Sequence, residues 1–141
     1  MQRAALGLVL LTALAGCGRF RKAKECGLLA ETVSAWMKKS ERPTPAGADS
    51  QVLVSDARAT AVRYRELDST LAGIKLESDE LTPLLERYRK IALRSAETLE
   101  QVARALEQGN LEQARKLRVD FDATIRAEAP LVDEINATCR K

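Results

Sequence analysis

Apolar residues recur along this chain at alternating steps of three and four, the spacing that brings one face of an α-helix back into line. Leu53, Ala57, Thr60, Tyr64, Leu67, Leu71 and Ile74 form one such seam without interruption. A second runs through Leu81, Leu85, Tyr88, Ala92, Ser95, Leu99, Val102 and Leu106, and a third through Ala114, Leu117, Phe121, Ile125, Val132, Ile135 and Cys139. A shorter series ahead of them holds Cys26, Leu29, Val33, Trp36 and Ser40. A helix with one apolar stripe must lay it against other helices. The pattern therefore predicts an all-α fold, an up-down-up-down four-helix bundle with coiled-coil-like seams and helices over about 25–41, 50–74, 82–108 and 110–139.

Local signals punctuate these segments. Arg42 to Ala48 has no apolar period and contains Pro43 and Pro45, the mark of a stiffened linker. Asp49 or Ser50 offers an N-cap for the second helix. Thr82-Pro83 predicts the start of the third as cap and first helical residue, whereas a start near Ser78 would move Pro83 towards positions that need a backbone donor. Gly109 supplies a left-handed stop, and Asn110 with Gln113 a capping box, so the third and fourth helices should be antiparallel neighbours. Pro130 cannot donate to the carbonyl of Arg126 and should kink or break the last helix. Glu128, just before it, reads as a solvated boundary carboxylate. Glu86–Lys90, Glu100–Arg104, Glu112–Lys116 and Asp122–Arg126 are acid-first i, i+4 pairs expected on wet faces. Arg87, Lys90 and Arg94 read as a solvated face as well, because acids interleave with them.

Composition narrows the chemistry. A chain of 141 residues makes one domain. A formal charge of +3 with both signs abundant gives no reason to expect a nucleic-acid partner. The chain has no His, and with it goes the commonest general base and transition-metal ligand. There is no phosphate-cradling glycine loop and no acidic metal loop. The expectation is a protein that is not an enzyme and has no cofactor and no metal site.

The N-terminus points to export. Met1-Gln2-Arg3 precedes an uncharged run from Ala4 to Ala15, and Gly16-Cys17-Gly18 follows. A basic start, a short apolar run and small residues describe a secretion signal, too short to span a bilayer comfortably. Two processing routes are open on the residues alone. Ala13-Leu14-Ala15 fits ordinary signal peptidase. Leu14-Ala15-Gly16-Cys17 resembles the lipobox of bacterial lipoproteins at all four positions. The resemblance implies cleavage after residue 16, a diacylglyceryl group on Cys17, usually with an added N-acyl chain, and a periplasm-facing envelope protein held by lipid. In that family Asp after the cysteine retains the protein in the inner membrane, so Gly18 implies the outer membrane. Residues 1–16 would then be the signal, 17–24 the lipidated cysteine and a basic tether, and 25–141 the bundle. Arg19, Arg21, Lys22 and Lys24 would lie near the headgroups, with Phe20 among them.

Cysteine parity fits this route. Of three cysteines, lipidation of Cys17 leaves Cys26 and Cys139, an even pair in an oxidising compartment. One lies in the first turns of helix one and the other in the last turn of helix four, which an up-down-up-down bundle brings to the same end. A Cys26–Cys139 disulfide is predicted. The function expected is a lipid-anchored, non-enzymatic interaction or structural module with an envelope protein partner. The alternative is a client-binding periplasmic chaperone or an accessory subunit of an envelope machine. Oligomeric state is open, since a stripe serves self-association and intrachain packing equally.

Overall fold

The computed structural model describes residues 13–40 and 47–141, with side chains for 18–39 and 47–141. The residues before Ala13, most of the expected signal, and most of the proline linker lie outside the described residues, as does the side chain of Cys17. Five helices make up the described chain: α1 (Ala13–Ser40), α2 (Ser50–Ala72), α3 (Leu81–Glu107), α4 (Leu111–Arg126) and α5 (Glu128–Cys139). The protein is all-helical, and among the described residues there is no strand. Its packing is compatible with a four-helix bundle whose last arm, α4 and α5, is broken in the middle.

The helix ends follow local chemistry. Asp49 caps α2, its carboxylate accepting from Val52 N at 2.9 Å. Gly109 takes φ +69°, a left-handed value that ends α3, and the Asn110 side chain accepts from Gln113 N at 3.0 Å to begin α4. The rod breaks at Ala127, and Pro130 becomes the third residue of α5, where no intrahelical donor is required.

Three expected boundaries need correction. Helix α1 begins at Ala13 rather than near residue 25, so the basic segment after Cys17 is helical and continuous with it. Arg, Lys and Ala favour helix, and no proline interrupts the segment. Helix α2 ends at Ala72, leaving Ile74 outside the helix though still packed on the core. Helix α3 starts at Leu81, one residue before the expected Thr82. Ser78 is the residue that settles its first turn, with Leu81 N donating to Ser78 Oγ at 3.3 Å and Thr82 N to Ser78 O at 3.1 Å.

Helix α3 is the hub. It packs along α2 most extensively, then along α4 and α5. Every residue of its expected stripe from Leu81 to Val102 is buried, and so are Leu84, Ala96, Thr98, Ala103 and Ala105, because neighbours cover more than one of its faces. Small residues let α2 and α3 approach closely: Ala61 and Ala96 are both fully buried in one cluster with Leu99 and Phe121. Helix α1 joins along one half of the bundle. There Leu29 enters a core with Leu67, Leu71, Leu84, Leu85, Tyr88 and Leu131, drawn from α2, α3 and α5.

The charged surface differs from the expected pattern. Among the described residues, Glu100–Arg104 at 3.9 Å is the one of the four i, i+4 pairs that closes. The acids reach instead across helices: Arg58–Glu107 at 2.8 Å, Arg87–Glu134 at 2.6 Å, Arg89–Asp68 at 2.9 Å, and Arg65–Glu100. Long side chains on close-packed helices reach a neighbour as readily as their own next turn. Exposed pairs of this kind contribute little individually, roughly 0–1 kcal/mol.

Candidate functional site

The residues expected to carry function gather at the end where α1 meets the turn between α2 and α3. Cys26 and Cys139 are disulfide-bonded, with Cα atoms 5.9 Å apart. The bond joins α1 to the last residue of α5. In the adjacent position, Glu25 is buried, and its carboxylate accepts from Glu77 N at 2.8 Å and Ser78 N at 3.3 Å. Those two amides belong to the segment that leaves α2, which has no helical partners to offer them. Glu25 thus fastens α1 to the α2–α3 turn, a role the sequence reading missed. The available signal was an acid placed directly before Cys26, four residues from Leu29, on the apolar stripe itself.

The basic set divides. Arg21 pairs with Glu77 at 2.7 Å and Lys22 with Glu80 at 3.0 Å, so two of the four charges are engaged by the α2–α3 turn. The Lys22 ammonium holds the Glu80 carboxyl below its ordinary value. Arg19 and Lys24 form no ion pair among the described residues. Phe20, on the same turns, is 78% exposed. The part of α1 that projects beyond the clasp thus presents one aromatic ring and two free cations.

Further along, α1 is held by Trp36. Its indole N–H donates to Arg63 O at 2.8 Å, and its ring meets Tyr64 at 5.0 Å. Tyr64 in turn meets Phe121 of α4 edge-on at 6.1 Å. Burial and the nearby Glu128 carboxylate raise the Tyr64 phenol to about 12. Glu128 accepts a hydrogen bond from the Tyr88 hydroxyl. Burial, then that bond, push Tyr88 further up still. Glu128 is therefore the half-buried partner of a tyrosine, not the solvated boundary acid expected. The break at Ala127 lets it turn inward.

Two grooves flank this aromatic bridge. Between α1 and α5 lies a cleft of about 510 Å³, lined by Leu29, Val33, Leu71, Leu85, Val132 and Ile135, with the disulfide along it. Between α2 and α4, over α3, lies another of about 620 Å³, walled by Leu53, Ala57, Val102, Leu111, Ala114 and Phe121 and edged by Asp56, Arg63, Arg115 and Arg118. Among the described residues no three acids or cysteines converge as a metal would need, and no helix is long and apolar enough to cross a membrane. Compared with known protein families, with curated proteins and with solved structures, the chain has no match.

Proposed function

We propose that this chain is a lipid-anchored, non-enzymatic interaction module of the bacterial envelope, a four-helix bundle held at the membrane through Cys17 and facing the periplasm, with the outer membrane as its site. The observation that carries the reading is the tetrapeptide Leu14-Ala15-Gly16-Cys17 behind a short apolar run, nine residues ahead of a cysteine that is already paired. With Cys26 and Cys139 joined, Cys17 is the one cysteine left for a lipid. A diacylglyceryl group gives durable anchoring where one chain would not, at about 0.8 kcal/mol per buried methylene. Arg19, Lys24 and Phe20 would then sit where anionic headgroups and the interface can receive them.

The test is mass spectrometry of the N-terminal peptide from the membrane fraction of cells making the chain. The expected species begins at Cys17 and carries a diacylglyceryl mass, with or without a further acyl chain. An unmodified Gly16 or Met1 at the front would end the reading. The two grooves favour a second reading, in which the anchored bundle serves as a client-binding chaperone or as an accessory subunit of an envelope machine. Crosslinking in intact envelopes separates the two: many unfolded clients indicate a chaperone, one stoichiometric partner a subunit.

A further inference from the structure

We propose that the groove between α2 and α4 receives a short amphipathic helix of a partner protein, one that carries acidic side chains beside its apolar stripe. This deepens the reading of the chain as an interaction module and rests on it, whereas lipidation of Cys17 plays no part.

The fold itself shapes the groove for a helix. In the half of the molecule near the disulfide, α1 lies over the stripe of α2 that holds Leu71 and Leu67. Leu53 belongs to the same stripe, about five turns away on the same line. Helix α1 is last anchored by Trp36 at Arg63 O and ends at Ser40, so it does not run on over Leu53. The place α1 would occupy is the groove, floored by Leu99 and Val102 of α3. From Leu53 to Arg63 it is about 15 Å long, room for nearly three helical turns. Leu53 at 38% and Leu111 at 52% exposure stand on its two lips.

Charge selects the occupant. Three guanidinium groups, Arg63, Arg115 and Arg118, edge the groove against one carboxylate, Asp56. Arg63 Nε is buried and has no hydrogen-bond partner among the described residues, while its Nη2 donates to Thr60 Oγ1 at 2.9 Å. Arg115 forms no ion pair among the described residues. Arg118 lies over the Phe121 ring at 5.4 Å and reaches Asp122 at 3.4 Å. An incoming helix with Glu or Asp on its flanks meets a surplus of guanidinium donors, two on the α4 wall and, beside Asp56, one on the α2 wall. The connecting residues Glu41-Arg42-Pro43-Thr44-Pro45-Ala46, outside the described residues, hold two prolines and no large apolar side chain.

The test pans the full chain, disulfide intact, against a library of helix-forming peptides. The library fixes an apolar stripe and randomises the flanking positions among Glu, Lys, Gln and Ser. The expected winners carry Glu on both flanks and bind about tenfold more weakly to an Arg115→Glu/Arg118→Glu variant, which should select Lys-flanked peptides instead. Both arginines are exposed, and unchanged Trp36 emission and helicity show that the variant is folded. Winners with Gln, Ser or Lys flanks, no enrichment at all, or affinity indifferent to the reversal would each overturn the proposal. So would sedimentation showing that the chain dimerises and that the dimer, rather than the free chain, buries the groove. None of these results bears on the mass of the Cys17 peptide, so this proposal and the anchoring stand or fall separately.

Discussion

Replacing both Cys26 and Cys139 with Ser tests how α1 is held. The two cysteines are 113 residues apart in sequence, so the crosslink closes nearly the whole folded chain into one loop. By the loop-entropy account this contributes about 5 kcal/mol, a large share of the 5–15 kcal/mol typical of a domain. For a chain of this size the melting temperature should fall by roughly 15 °C. The loss should not be uniform. Helix α1 comes close along its backbone to α2 and α5 alone, whereas α2, α3 and α4 pack along one another. Without the bond, α1 keeps Glu25 on two amides, Leu29 in the core and Trp36 on Arg63 O. The variant should therefore release α1 before the remaining helices melt. Trp36 is the one tryptophan in the chain and sits on α1 against Tyr64, so its emission reports α1 alone. Far-ultraviolet circular dichroism reports all the helices. In the oxidised protein the two urea transitions should coincide; in the variant the fluorescence transition should come first. Coincident transitions in the variant, or a melting temperature within a few degrees of the original, would refute the argument that the disulfide holds α1 in place.

Three further outcomes follow from single groups. Ser95 is fully buried, and its Oγ has no hydrogen-bond partner among the described residues, so Ser95→Ala should raise stability by about 1 kcal/mol in urea titration; a loss would mean that the hydroxyl is satisfied. Gly109→Ala should cost about 1 kcal/mol from backbone strain alone, because φ is +69° and an added Cβ meets nothing within 4 Å. Urea midpoints indistinguishable from the original would show that the turn relaxes. Tyr64 is raised from 10.0 to about 12, so the folded state keeps a proton that the unfolded chain loses first. Its contribution is complete below pH 10 and disappears as the pH climbs from 10 towards 12, so stability should fall across that window. Absorbance at the phenolate band that rises with a midpoint at 10 in the folded protein would contradict the burial.

The elements that could be read from sequence are those whose cause is local. Asp49, Gly109, Asn110 and Pro130 act on the backbone within a turn of themselves, and each does in the structure what its chemistry dictates, although the expected capping box closes by half: Asn110 accepts from Gln113 N, while Asn110 N donates to Ala105 O. The Cys26–Cys139 pair was legible because parity and topology agree, and neither depends on side-chain detail. Glu25, Tyr88 with Glu128, and the cross-helix pairs were not, since each needs to know which residue lies opposite. The i, i+4 rule describes an isolated helix. In this molecule Arg65 and Arg58 of α2 face Glu100 and Glu107 of α3, and the neighbour competes with the next turn.

Leu53 shows where that boundary falls. Periodicity placed it correctly on the stripe shared with Leu67 and Leu71, yet it is 38% exposed whereas they are buried. The stripe is a property of α2 and can be counted along the sequence. Its cover is a property of where α1 stops, and α1 is last held at Trp36, by one hydrogen bond to α2 and one ring contact. A seam that continues past the helix that covers it leaves apolar side chains without cover from the other described helices. In the far half the uncovered stripe borders the groove edged by Arg63, Arg115 and Arg118, the groove proposed above to receive a partner helix. The uninterrupted heptad pattern that predicts a bundle thus also marks the place where the described helices run out.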